Sequence, residues 1–171
     1  YYTNNFKANS CDNRTDQDYQ MSELLNEGEM RIMLRWREKT ATDLDSHLQI
    51  PDNANSTHHI MYKNAYRTYY YATDNYTCPS CSSDQLSDNV TIDIDDKSPP
   101  GGETITISKV RSGTYSFSVH NLTDSDNGTD NHKTNLRQSG AKVEAIYCPV
   151  GADCSNQAAV IKKKFHKKNA N

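Results

Sequence analysis

Apolar residues in this chain fall in short runs that alternate with polar ones, the period of a strand with one buried and one solvated face. The clearest run is Glu29 to Arg37, where Met30, Ile32, Leu34 and Trp36 point one way and Arg31, Met33, Arg35 and Arg37 the other. Leu44 to Ile50 repeats the pattern, with Leu44, Ser46, Leu48 and Ile50 inward and Asp45, His47 and Gln49 outward; Asp43 precedes them on that outer side. Pro51 and the Asn-rich PDNANST stop it. His58–Lys63 and Tyr66–Thr73 predict a hairpin around Asn64-Ala65. Asn89–Asp95 places Val90, Ile92 and Ile94 inward, and Ser98-Pro-Pro-Gly-Gly102 turns the chain because neither proline can donate to a ladder. Thr104–Val110 and Thr114–His120 predict a second hairpin through Arg111-Ser112-Gly113. Lys142–Cys148 and Gln157–Phe165 close the series, the last with Ala159, Ile161 and Phe165 on one side. About nine short strands with turn signals between them, and no amphipathic helical stripe, predict an all-β sandwich of jelly-roll type. Trp36, the only tryptophan, is placed at the centre of its core.

Composition sharpens this picture. Only 34% of the 171 residues are apolar and mean hydropathy is -0.94, values that would lean toward disorder if the apolar residues were scattered. Gathered into alternating runs, they suffice for a thin two-layer core, and eleven tyrosines suit half-buried sheet surfaces. Residues 1–20 have no periodicity, which predicts an extended arm, and residues 21–171 are expected to form the sandwich domain. No run is long and apolar enough to span a bilayer, and none reads as a signal peptide. The chain opens on Tyr1 rather than Met, which predicts a segment upstream of it.

Two features predict an extracellular setting. Sequons occur at Asn13, Asn55, Asn75, Asn89, Asn121 and Asn127, with an N-x-C at Asn9, and so predict covalent N-glycans. Five cysteines are present, and Cys78-Pro-Ser-Cys81 and the pair Cys148 and Cys154 have the spacing of local loop staples. Cys11 in the arm is left over: free, bonded to another chain, or paired in a different connectivity. A redox reading of C-P-S-C needs a helix N-terminus to lower the thiol pKa, and Ser82-Ser-Asp-Gln-Leu-Ser-Asp offers no apolar helical stripe. A four-cysteine zinc site is the other alternative; the sequons favour disulfides.

The run L-R-W with T-D-L-D-S-H-L, then I-D-I-D-D, G-G-E-T-I-T-I, G-T-Y-S-F-S-V-H-N and S-G-A-K-V, resembles secreted β-sandwich domains of unknown function in bacterial and algal surface proteins. The resemblance covers Leu34 to Val143; it departs at Pro99-Pro100-Gly101, at the cysteine loop and at the final strand. It implies an extracellular sandwich, often a module of an adhesive or fibrous protein, and not an enzyme. The chain is also similar to self-assembling fibril subunits of environmental origin, in which a terminal segment docks onto a neighbour.

Candidate chemistry centres on acids. Asp43 and Asp45 share a strand face with His47, Asp93 and Asp95 share another, and Asp96 begins the turn. On neighbouring strands these charges would repel, and a hard cation with oxygen ligands would relieve them, which makes calcium on Asp43, Asp45, Asp93, Asp95 and Asp96 the candidate cofactor site. The alternative is a solvated face whose aspartates cap loops or pair with Arg35, Arg37 or Lys97. Asp124-Ser-Asp126-Asn-Gly128-Thr-Asp130 resembles an EF-hand loop superficially, but its glycine stands at position five and no Glu at twelve follows. No H-E-x-x-H, G-x-S-x-G or phosphate-binding glycine loop occurs, so no catalytic constellation supports an enzyme.

The ends differ in sign. Residues 1–30 carry six acids against Lys7 and Arg14, and the last twelve residues carry Lys162, Lys163, Lys164, Lys167 and Lys168. A basic tail can bind nucleic acid or stay solvated; oppositely charged ends also steer a head-to-tail contact, which grows a filament when it does not close. The sequence therefore predicts a homo-oligomer: a glycosylated extracellular fibre subunit joined by strand addition, with Tyr1–Tyr19, or alternatively Ala158–Phe165, completing the sheet of the next copy. The alternative is a monomeric, calcium-dependent carbohydrate-binding module with Tyr69, Tyr70 and Tyr71 as its aromatic platform.

Overall fold

The alternation of Met30–Trp36 becomes β1, one of the two central strands of the larger of two sheets. A computed structural model of the chain describes residues 24–37, 43–54, 56–122, 136, 138–155 and 161–165. Its other strands are β2 (Leu44–Pro51), β3 (Thr57–Ile60), β4 (Thr68–Tyr70), β5 (Asn89–Asp95), β6 (Gly101–Ile107), β7 (Ser116–Asn121), β8 (Lys142–Tyr147) and β9 (Ile161–Phe165). Six strands in the order β4-β5-β6-β1-β8-β9 face three in the order β3-β2-β7, all pairs antiparallel. The predicted all-β sandwich is the fold observed. The arm, residues 1–20, and Cys11 within it lie outside the described residues.

Between the sheets, Ile32 of β1 meets Leu48, Ile50, Ile60, Val90, Ile92, Ile105 and Ile107, and Leu34 and Trp36 meet Leu44. Each such side chain contributes about 1.5–3 kcal/mol by leaving water. Trp36 pairs with Gly101 across β1 and β6, and a Cβ at position 101 would overlap the indole ring. Ser98–Gly102 is thus more than a turn, since its first glycine opens β6 and makes room for the tryptophan. On the opposite face of β1, Met33 is also buried, against Leu25, Ile146, Cys148 and Cys154. The stretch before β1 and the loop after β8 cover it, held by the Gly28 N–H to the Cys148 carbonyl and the Cys148 N–H to the Glu29 carbonyl, each 2.9 Å.

Neither predicted hairpin forms. β3 pairs with β2 while β4 pairs with β5, and β6 pairs with β5 and β1 while β7 pairs with β2. In both cases the chain crosses from one sheet to the other. The alternation of β4 buries Tyr69 fully and Tyr71 just beyond it, and both join the core cluster rather than a solvated surface. Arg111 seals the second crossover: it donates to Asp88 through Nη1 at 3.0 Å and Nη2 at 2.7 Å, and lies 3.3 Å from the centre of the Tyr71 ring. A five-residue helix, α1 (Ser83–Ser87), follows the C-P-S-C loop, where the sequence offered no helical stripe; a Ser82–Gln85 capping box forms it, and none of its residues is buried.

Candidate metal centre

The centre is built by an irregularity in β5. Ile92 pairs with Ile105, but Ile94 pairs with Thr104 and Asp95 with Glu103, so Asp93 is one residue too many on its strand. Such a bulge reverses which face later residues occupy. Ile94, expected inward, is therefore 38% exposed, while Asp95 comes opposite Glu103. Glu103 shares its face with Ile105 and Ile107 by the period of two and points into the sandwich, 1% exposed.

From the facing sheet comes Asp45 of β2, expected on the wet side and instead 1% exposed. One carboxylate oxygen from each of Asp45, Asp95 and Glu103 lies within 4.8 Å of the others. β3 reaches only Leu48 on β2, and in the first half of β2 the Ser46 N–H is accepted by Glu103 Oε2. Glu103 Oε1 and Asp45 Oδ2 are buried without a hydrogen-bond donor. Asp95 Oδ2 accepts from Arg67 Nη1 at 3.3 Å, and Arg67 Nε is fixed by the Ile92 carbonyl at 2.9 Å.

Gathering acids in the dry end of a sandwich is costly. Burial, and then the charges of Asp43 and Asp95, pushes Asp45 up to about 7, with Lys97 opposing. Burial also pushes Glu103 up to about 8; its bonds to Ser46 oppose this, and Asp45 and Asp95 add to it. On the outer side of β2, burial and then His59 and His120 hold His47 down to about 4. The carboxylate cluster can be relieved by protons or by a hard divalent cation. Calcium takes six to eight oxygens at about 2.3–2.6 Å with loose geometry, which fits three carboxylates from three strands, two of them with an oxygen still lacking a donor. No protein-family model, no characterised protein and no solved structure matches this chain. The chemistry of the site therefore rests on these residues themselves.

Of the five aspartates predicted as ligands, Asp45 and Asp95 meet at the centre, and Asp43 stands close enough for its charge to act on Asp45. Asp93 and Asp96 do not belong to it. Asp93, next to inward Ile92, keeps the outward face expected of it and accepts from the Thr106 hydroxyl, while the bulge carries Asp95 away from it; Asp96 accepts the Gly102 N–H at 2.9 Å and closes the turn into β6. Glu103 was missed because the strand was expected to start at Thr104; extending the alternation of Ile105 and Ile107 back by two would have found it.

The remaining predicted sites are dispersed. Cys78 pairs with Cys81 and Cys148 with Cys154, at Cα separations of 5.4 and 5.9 Å. Asn75 is exposed in a loop, Asn89 is half-buried with its amide donating to the Leu86 carbonyl, and Asn121 is buried at the end of β7. Asn13, Asn55, Asn127 and the 124–130 loop lie outside the described residues. The tyrosine platform is overturned: Tyr69 and Tyr71 are 0% and 4% exposed, because the edge strand β4 turns them into the core. Ile161–Phe165 pairs with β8 of its own chain, so the alternative donor Ala158–Phe165 has its described part already placed in a sheet. No helix among the described residues is long and apolar enough to cross a membrane.

Proposed function

We propose that this chain is a structural subunit of an extracellular, N-glycosylated fibre, joined head to tail by strand addition, with calcium closing one end of its sandwich. The observation that carries the reading is the unequal width of the sheets. Six strands face three, and among the described residues β7 pairs only with β2. Its half-buried Phe117 and Val119 pack against the cluster of Leu34, Trp36 and Leu44, so a strand laid beside β7 would extend a face that already belongs to the core. An unpaired edge offers a row of N–H and C=O groups to an incoming chain. The six residues of β7 span about 20 Å at about 3.3 Å per residue, well within the reach of a twenty-residue arm. The acidic first thirty residues and the lysine-rich end favour contact between the opposite ends of different copies, which grows a filament when it does not close.

The test is deletion of residues 1–20 with electron microscopy and sedimentation of the product. Filaments of normal length from the deleted chain, or monomers that fail to bind a synthetic 1–20 peptide, would sink the proposal; monomers that bind the peptide one to one support it. The acid centre also favours a second reading, a monomeric calcium-dependent adhesion module. That module would bind glycans in an EDTA-sensitive way and would sediment as a monomer with the arm intact.

A further inference from the structure

The outer face of the three-stranded sheet carries a histidine on each strand. His59 of β3 stands opposite Gln49, and His120 of β7 stands opposite Asp45. His47 of β2 lies two residues from each of those positions, diagonal to both histidines and within reach of their rings. The His47 Nδ1 to His59 Nε2 distance is 2.9 Å, and the His47 and His120 ring centres are 5.6 Å apart, edge to face. Asp45 Oδ2, buried and without a hydrogen-bond donor, lies 3.7 Å from His120 Nδ1. His47 Nε2 is likewise buried without a partner. One ligand atom from each of Asp45, His47 and His120 falls within 4.8 Å of the other two.

We infer that Asp45, His47 and His120 form a binding site for a zinc-class divalent cation that clamps the edge strand β7 to β2. Two imidazoles and a carboxylate are the donors such ions prefer, and three protein ligands leave a fourth position for solvent or an incoming group. Zinc bonds of about 2.0–2.1 Å place tetrahedral ligands about 3.3 Å apart, so the Asp45–His120 pair needs to close by only a few tenths of an ångström. His59 is the positioning residue. It occupies His47 Nδ1, fixes the ring and leaves Nε2 to the metal, as outer partners of ligating histidines do. Among the described residues, the other carboxylate–histidine group outside the acid centre, Asp52, His58 and Asp74, lacks this vacancy. Asp52 Oδ1 accepts the Ala54 and Ser56 N–H groups at 2.8 and 2.7 Å, Asp74 accepts the Tyr69 hydroxyl, and His58 stacks on Tyr69, so that group fastens its loops.

The site shares only Asp45 with the acid centre, and this makes the two separable. The full chain, prepared without a histidine tag, is titrated with Zn²⁺ by calorimetry and with Co²⁺ by visible absorption. One equivalent should bind, with the intense band between about 500 and 650 nm that few-coordinate cobalt gives. His120→Ala, at a half-exposed position, should weaken Zn²⁺ at least tenfold and abolish the band; His59→Ala should weaken it about tenfold while a shifted band remains. His58→Ala and Asp95→Asn should leave Zn²⁺ affinity within threefold of the unaltered chain, while Asp95→Asn loses calcium binding. Absence of stoichiometric binding in the full chain overturns the inference. So does equal affinity in His120→Ala, or a loss in His58→Ala as large as in His120→Ala. Circular dichroism of each variant confirms that a loss is not unfolding, and ¹H–¹⁵N spectra of the full chain report whether His120 is the ring that Zn²⁺ shifts.

Discussion

Replacing Glu103 by Gln removes one charge from the acid centre and keeps an acceptor for the Ser46 N–H. Asp45 is pushed from 3.8 up to about 7 and Glu103 from 4.5 up to about 8, so each holds its proton more tightly in the folded chain than in the unfolded one. For such groups stability is full below the unfolded value and is lost as pH rises through the folded one. Metal-free protein should therefore lose stability from about pH 4 to about pH 8 and level off above. At about 1.4 kcal/mol for each tenfold change in proton affinity, these rises set an upper bound of about 4–5 kcal/mol for either group. The glutamine must itself find a partner in a buried place, which brings the expected gain to about 2 kcal/mol at pH 8.5 in EDTA. For a domain of this size that is about 4–8 °C in Tm. Calcium at about a hundredfold its Kd should add about 2.7 kcal/mol to the unaltered chain at the same pH and little to Glu103→Gln. Scanning calorimetry from pH 4 to 9, in EDTA and in calcium, reads all of these. A Tm in EDTA that does not fall between pH 4 and 8, or a variant that calcium stabilises as much as the unaltered chain, would refute the reasoning.

Other positions give independent tests. Gly101→Ala pushes a methyl group into the Trp36 indole, and should cost about 3 kcal/mol with a changed near-ultraviolet tryptophan signal. Arg111→Lys keeps the charge but loses both the fork on Asp88 and the flat face over Tyr71; equilibrium urea unfolding should report a loss of about 1–2 kcal/mol, and an unchanged midpoint would show that the crossover needs only a cation. Cys148→Ser with Cys154→Ser opens the loop that covers Met33 and Ile146, and should cost about 2 kcal/mol in unfolding experiments without reductant.

The strands were legible because each carries its own period: Met30, Ile32, Leu34 and Trp36 of β1 declare one buried face without reference to anything else. What could not be read is what depends on a partner across the sandwich. Thr114–His120 looks like the return arm of a hairpin because Arg111-Ser112-Gly113 is a good turn, yet the chain leaves the sheet there, a choice made by the space beside β2 and by Arg111 closing on Asp88 and Tyr71. The acid centre failed for the same reason in three ways. Asp45 reads as solvated from its own strand, and only the approach of β6 dries it. Asp93 and Asp95 read as one face, and only their pairing against Ile105, Thr104 and Glu103 reveals the extra residue that separates them. Glu103 falls between the turn ending at Gly102 and the strand expected from Thr104, and only the Trp36 ring lying on Gly101 shows that β6 has already begun. A carboxylate placed inside by its neighbours' register leaves no trace in its own alternation. Charge offers the better signal: an acid at an inward position of an otherwise apolar strand, as Glu103 is with Ile105 and Ile107, needs a proton, a donor or a metal wherever the fold puts it.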